Sequence, residues 1–91
     1  GEAITVSSGM SLTLKNTLLQ NNGNDGIGVS NSSFSSSGLT IRGAQHAVSL
    51  RNPTSLNLTK LEIIDAGYGI HFNCNSNFSI RELKITNTDS P

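Results

Sequence analysis

Leu56-Asn57-Leu58-Thr59-Lys60-Leu61-Glu62-Ile63, in the second half of the 91-residue chain, carries two apolar pairs at a spacing of two, Leu56–Leu58 and Leu61–Ile63. That spacing is the strand period, one side chain inward and the next outward. The pattern recurs along the chain. Leu12, Phe34, Leu56 and Phe78 are each 22 residues from the next; five residues after each come Thr17, Leu39, Leu61 and Leu83; two further on come Leu19, Ile41, Ile63 and Ile85. A third set reads Ile4/Val6, Ile27/Val29, Val48/Leu50 and Ile70/Phe72, with an extra residue near Asn22 balanced by one fewer near Ser33.

Three short strands on a fixed 22-residue period predict a parallel β-solenoid, because one coil cannot bury its apolar face but stacked coils make a continuous core. The expected architecture is all-β, about 3.5–4 coils starting near residues 12, 34, 56 and 78, with three strands per coil and no helix. No i, i+3, i+4 stripe persists long enough for an amphipathic helix. Two residues past the second strand the chain reads Asn21, Gly43, Asp65 and Asn87, residue types that tolerate left-handed backbone at a turn. Two inward positions, Thr17 and Ser36, are polar and are expected to bond neighbouring backbone.

The segments Asn22-Gly23-Asn24-Asp25-Gly26-Ile27-Gly28-Val29 and Ala66-Gly67-Tyr68-Gly69-Ile70-His71-Phe72 resemble the right-handed parallel β-helix repeat of pectate-lyase-like proteins, over roughly residues 3 to 88. The right-handed sense is implied by that resemblance, since the period alone does not exclude a left-handed solenoid. The resemblance also implies a polysaccharide-active relative, although one fold carries many functions.

Composition narrows the classes. Six Lys+Arg balance six Asp+Glu, and Ser (14), Thr (8), Asn (11) and Gly (9) make 42 of the 91 residues. A neutral chain without a basic stripe is not expected to bind nucleic acid. No run approaches the 18 apolar residues of a membrane span, so no direct membrane insertion by this segment is expected. A single cysteine, Cys74, rules out an internal disulfide framework; it is expected to be free or to pair outside the segment.

In a solenoid, outward residues of one strand form columns, and a catalytic site needs titratable residues in adjacent coils. The first column reads Thr13, Ser35, Asn57, Ser79; the second Leu18, Thr40, Glu62, Lys84; the third Thr5, Gly28, Ser49, His71. Glu62 and Lys84 are expected to form an exposed ion pair. No two acids share a column, so neither the carboxylate pair of a glycosidase nor a calcium cage is visible. No catalytic residue, metal site or cofactor is expected. The best constellation lies just before the third strand, where Asp25, His46 and Tyr68 stack and Asp25 is placed to orient the imidazole of His46. Ser49 is three residues, about 10 Å, from His46, too far for a nucleophile–base pair. A polar structural ladder is the expected role, with Asp25, His46, Tyr68 and His71 as the ligand-contact candidates. Tyr68 together with His71 is the candidate for stacking on a sugar ring. The Gly-rich stretch from Asn22 to Gly28 lacks the phosphate-loop pattern and a following helix.

Glycosylation sequons occur at Asn31, Asn57 and Asn77, against about 2.7 from chance at this composition. Neither end shows the polar cap that terminal coils need, so the chain is expected to be part of a longer solenoid, with flanking coils of the same protein as first partners. The functional expectation is a non-catalytic structural or adhesive segment of an extracellular or cell-surface protein, contacting other cell-surface proteins or polysaccharide. The alternative is part of a polysaccharide-binding or polysaccharide-cleaving protein. An ice-binding face would need a regular threonine array, which the Thr13, Ser35, Asn57, Ser79 column lacks.

Overall fold

The computed structural model describes residues 2–20, 25–73 and 78–89. The strands are β1 (Glu2–Ser7), β2 (Ser11–Lys15), β3 (Leu18–Gln20), β4 (Asp25–Ser30), β5 (Ser33–Arg42), β6 (His46–Arg51), β7 (Ser55–Ile64), β8 (Tyr68–Asn73), β9 (Phe78–Arg81) and β10 (Lys84–Thr86). All pair in parallel, and no helix occurs among the described residues. One sheet runs β1-β4-β6-β8; the other runs β10-β7-β5-β2, with β3 on β5 and β9 on β7. Both sheets are four rungs deep, and the chain winds a parallel β-solenoid of about three turns.

The register follows the 22-residue columns. Leu12 pairs with Phe34, Phe34 with Leu56 and Leu56 with Phe78, while Leu19, Ile41, Ile63 and Ile85 pair in the same way. In the first sheet Ile4 faces Ile27, Ile27 faces Val48 and Val48 faces Ile70, so the extra and missing residues cancel as the spacing predicts. The shortened step is the corner after β4, where only Asn31 and Ser32 separate Ser30 from Ser33; Asn52, Pro53 and Thr54 fill the same corner one rung on.

The core lies between the two sheets in the central rungs. Phe34, Leu39, Ile41, Leu58, Leu61 and Ile63 from one sheet bury against Ile27, Val29, Val48 and Leu50 from the other. Each such side chain contributes roughly 1.5–3 kcal/mol when fully buried. Their counterparts on the outer rungs (Ile4, Leu12, Leu14 and Leu19 at one end, Ile70, Ile80 and Ile85 at the other) are only partly buried, and Leu83 is exposed where the column led us to expect an inward position.

One expectation is corrected by the backbone. In the central coils the first two strands are a single bent strand, ten residues long in β5 and in β7, not two separate ones. The bend is one left-handed residue that interrupts the alternation without breaking the ladder. Asn16, Gly38, Lys60 and Glu82 stack at this corner with φ of 47°, 74°, 57° and 57°. A second corner stacks Gly43, Asp65 and Asn87 (80°, 54° and 56°), as the turn residues predict; Asn21 lies outside the described residues. A third stacks Ser8, Asn31 and Asn52 (60°, 52° and 47°). Corner amides keep bonding from rung to rung, as in Gly43 N to Ile64 O at 3.0 Å and Asn52 N to Asn73 O at 2.9 Å. Three such corners per coil turn the chain around a closed core.

Thr17 fulfils its expectation, its hydroxyl donating to Lys15 O at 2.9 Å. Ser36 does not. It lies inward between Leu14 and Leu58 in register, 4% exposed, and its Oγ has no hydrogen-bond partner. All its neighbours along that column are aliphatic, so the column offers no side-chain acceptor, and the strand carbonyls are engaged in the ladder.

Candidate functional site

Asp25, His46 and Tyr68 are the first residues of β4, β6 and β8, within the sheet margin and not ahead of it as the sequence pattern suggests. Stacked strands bring them together as expected, but they also put Glu2 of β1 in register with Asp25, so two acids do share a column, against the expectation from the spacing. His46 Nδ1 lies 2.8 Å from Asp25 Oδ1, and both side chains are 35% exposed. An ionised carboxylate only accepts, so Nδ1 carries the proton of this bond. On the other face of the imidazole, Tyr68 stacks with ring centroids 4.8 Å apart and an interplanar angle of 6°. That separation is the inter-strand spacing itself. Tyr68 therefore spends one ring face on His46; the pairing of Tyr68 with His71 envisaged for a sugar is not what the strands assemble.

Small residues beside this ladder let neighbouring strands approach. A Cβ on Gly26 would stand 2.4 Å from Ala47 O and 3.1 Å from Ile41 Cγ2, so position 26 accepts only glycine at this distance. Ala47 is fully buried next to His46. The half-buried ladder is thus mounted beside a close approach of backbone to backbone.

His71 sits elsewhere, in register with Ser49, which in turn faces Gly28. These outward positions, with Ser30, Arg51 and Asn73 two residues further along their strands, line an open groove of about 300 Å³ on the outer face of the first sheet. Gly28 leaves the groove floor without a side chain between Thr5 and Ser49. Ser49 belongs to this groove and His46 to the strand margin, so the structure does not bring a serine nucleophile to the imidazole.

The remaining polar groups form rung-to-rung pairs. Lys84 Nζ is 3.6 Å from Glu62 Oε2 at the exposed position the column predicts, a pair worth at most about 1 kcal/mol. Asp65, for which a local backbone bond is the common turn role, instead accepts from Asn87 Nδ2 at 2.7 Å, because both occupy the same corner. Asn31 and Asn57 are exposed, Asn57 between Ser35 and Ser79 in the first outward column. Asn77 and Cys74 lie outside the described residues. Among the described residues no three His, Cys, Asp or Glu side chains gather as a metal site, and no helix is long and apolar enough to cross a membrane.

Fold and geometry together define a parallel β-solenoid with a carboxylate–imidazole–phenol ladder at one strand margin and a polar groove on an outer face. Comparison with protein-family models, curated proteins and solved structures finds no match.

Proposed function

We propose that this chain is a non-catalytic structural or adhesive segment of a longer, right-handed, pectate-lyase-like β-helix in an extracellular or cell-surface protein. The observation that carries the reading is how the titratable groups at this strand margin are used: Asp25 holds His46, and His46 is covered by Tyr68. A carboxylate bonded to the imidazole and a phenol ring stacked on it serve as rung-to-rung staples. The first outward column, Thr13, Ser35, Asn57 and Ser79, presents small uncharged polar groups suited to a hydrated contact surface. Parallel crossovers within a sheet are almost always right-handed, which supports that sense of winding. Exposed sequons at Asn31 and Asn57 accord with an extracellular setting. Flanking coils of the same protein are the proposed first partners, followed by other cell-surface proteins.

The groove lined by Ser49, Arg51 and His71 favours a second reading, a polysaccharide-binding or polysaccharide-cleaving protein. A polysaccharide-cleavage and glycan-array screen with and without calcium separates the two. Under the structural reading no polymer is cleaved, and His46→Ala changes neither glycan retention nor the folded signal. Cleavage that disappears in Asp25→Asn or His46→Ala overturns it.

A further inference from the structure

We propose that the groove on the outer face of the β1-β4-β6-β8 sheet is a binding site for an oxyanion, a carboxylate, sulfate or phosphate group borne on a small polar carrier. This goes beyond the scaffold reading and does not depend on it. Strand alternation places Gly28 and Ser30, Ser49 and Arg51, and His71 and Asn73 on the same outward face of three successive rungs, a grid about 4.8 Å by about 7 Å. The bare floor at Gly28 makes the concavity; the flanking strands supply its polar walls.

The wall chemistry is rich in donors. Arg51 contributes a planar guanidinium whose fork of N–H groups fits two oxygens of one anion. The ion pairs among the described residues are His46–Asp25 and Lys84–Glu62, so the Arg51 guanidinium has no carboxylate of its own. Ser30 Oγ accepts from Asn31 Nδ2 at 3.4 Å, which leaves its hydroxyl proton to be given to a ligand. Ser49, Asn73 and the imidazole of His71 add further donors. Among the described residues no acid lines the groove. A neutral sugar is normally held by mixed donors and acceptors with an aromatic platform, and Tyr68 is already stacked on His46 instead of lining this face. A volume of about 300 Å³ is at the small end of ligand sites, room for the charged group and its immediate carrier.

The test is an amide NMR titration of the full chain with sodium sulfate, sodium phosphate and sodium glucuronate, each against sodium chloride at matched ionic strength. At least one anion is expected to give saturable shifts confined to residues 28–30, 49–51 and 71–73. Arg51→Ala is expected to weaken binding at least about tenfold, as loss of a charge-assisted bidentate contact does. Arg51→Lys, which keeps the charge and loses the fork, weakens it less, and Gly28→Thr, which fills the floor, abolishes it. Arg42→Ala, removing an exposed cation on the other sheet, leaves it unchanged. The anion that saturates at the lowest concentration identifies the carrier as a uronate, a sulfate ester or a phosphate ester. Shifts that fail to saturate, or equal losses in Arg42→Ala and Arg51→Ala, mean unspecific charge attraction and overturn the proposal. Thermal melts of each variant report folding separately, and cleavage assays bear only on the scaffold reading.

Discussion

Two buried serines four residues apart are expected to respond to the same substitution with opposite sign. Ser36 is 4% exposed with an unpartnered Oγ, whereas Ser32 is fully buried with its Oγ donating to Ser30 O at 2.9 Å and accepting from Met10 N at 3.2 Å. A buried hydroxyl left without a partner costs about 1–3 kcal/mol. Ser36→Ala keeps the Cβ and removes the stranded oxygen, and the void of one atom returns only some tenths of a kcal/mol. Net stabilisation of about 1 kcal/mol is expected, a rise in Tm of about 4–8 °C for a domain of this size. Ser32→Ala forfeits both bonds and leaves Met10 N only its longer bond to Ser7 O at 3.3 Å, so a loss of about 1–2 kcal/mol is expected. Urea melts followed by far-ultraviolet circular dichroism measure both, with the midpoint moving and the slope unchanged. A Ser36→Ala variant less stable than the parent by 1 kcal/mol or more would refute the reasoning, because it would mean that the hydroxyl is hydrogen-bonded in solution.

Other positions give equally definite outcomes. Gly26→Ala forces a Cβ to within 2.4 Å of Ala47 O, and because that atom is backbone the expected cost is about 3 kcal/mol, read as a lowered melting midpoint. Lys60 holds φ 57° in the column where Gly38 sits, so Lys60→Gly relieves about 1–2 kcal/mol of left-handed strain against the entropy that glycine adds to the unfolded chain; a net gain of up to about 1 kcal/mol is expected in the same melts. Ile63, fully buried between Ile41 and Ile85 in register, tests the winding itself: Ile63→Asp is expected to leave the chain unfolded by circular dichroism, since an unpaired charge there costs several kcal/mol.

The columns of Leu12, Phe34, Leu56 and Phe78 and of Leu19, Ile41, Ile63 and Ile85 were legible because a solenoid turns sequence period directly into spatial register. For the same reason the Asp25–His46 contact was legible: residues one period apart face each other at the strand spacing. The bend at Lys60 and Glu82 was not, since neither residue type advertises left-handed backbone; only Asn16 and Gly38 in the same column hint at it. The groove was equally hidden. His71 was singled out, but Arg51 and Asn73 were not, because a cavity depends on which neighbouring side chains leave room for it.

The sequence by itself therefore determined the all-β class, the parallel stacking, the register and the inward and outward columns, all consequences of a short-range period repeated along one chain. Only the tertiary structure decided that two strands merge around a single left-handed residue, that Ser36 is stranded, that the rings of Tyr68 and His46 lie nearly parallel, and that Gly28 opens a donor-lined groove beside Arg51. Those outcomes turn on distances of a few ångströms between side chains of different coils. Periodicity sets which residues are neighbours; shape and packing set what each neighbour's side chain reaches.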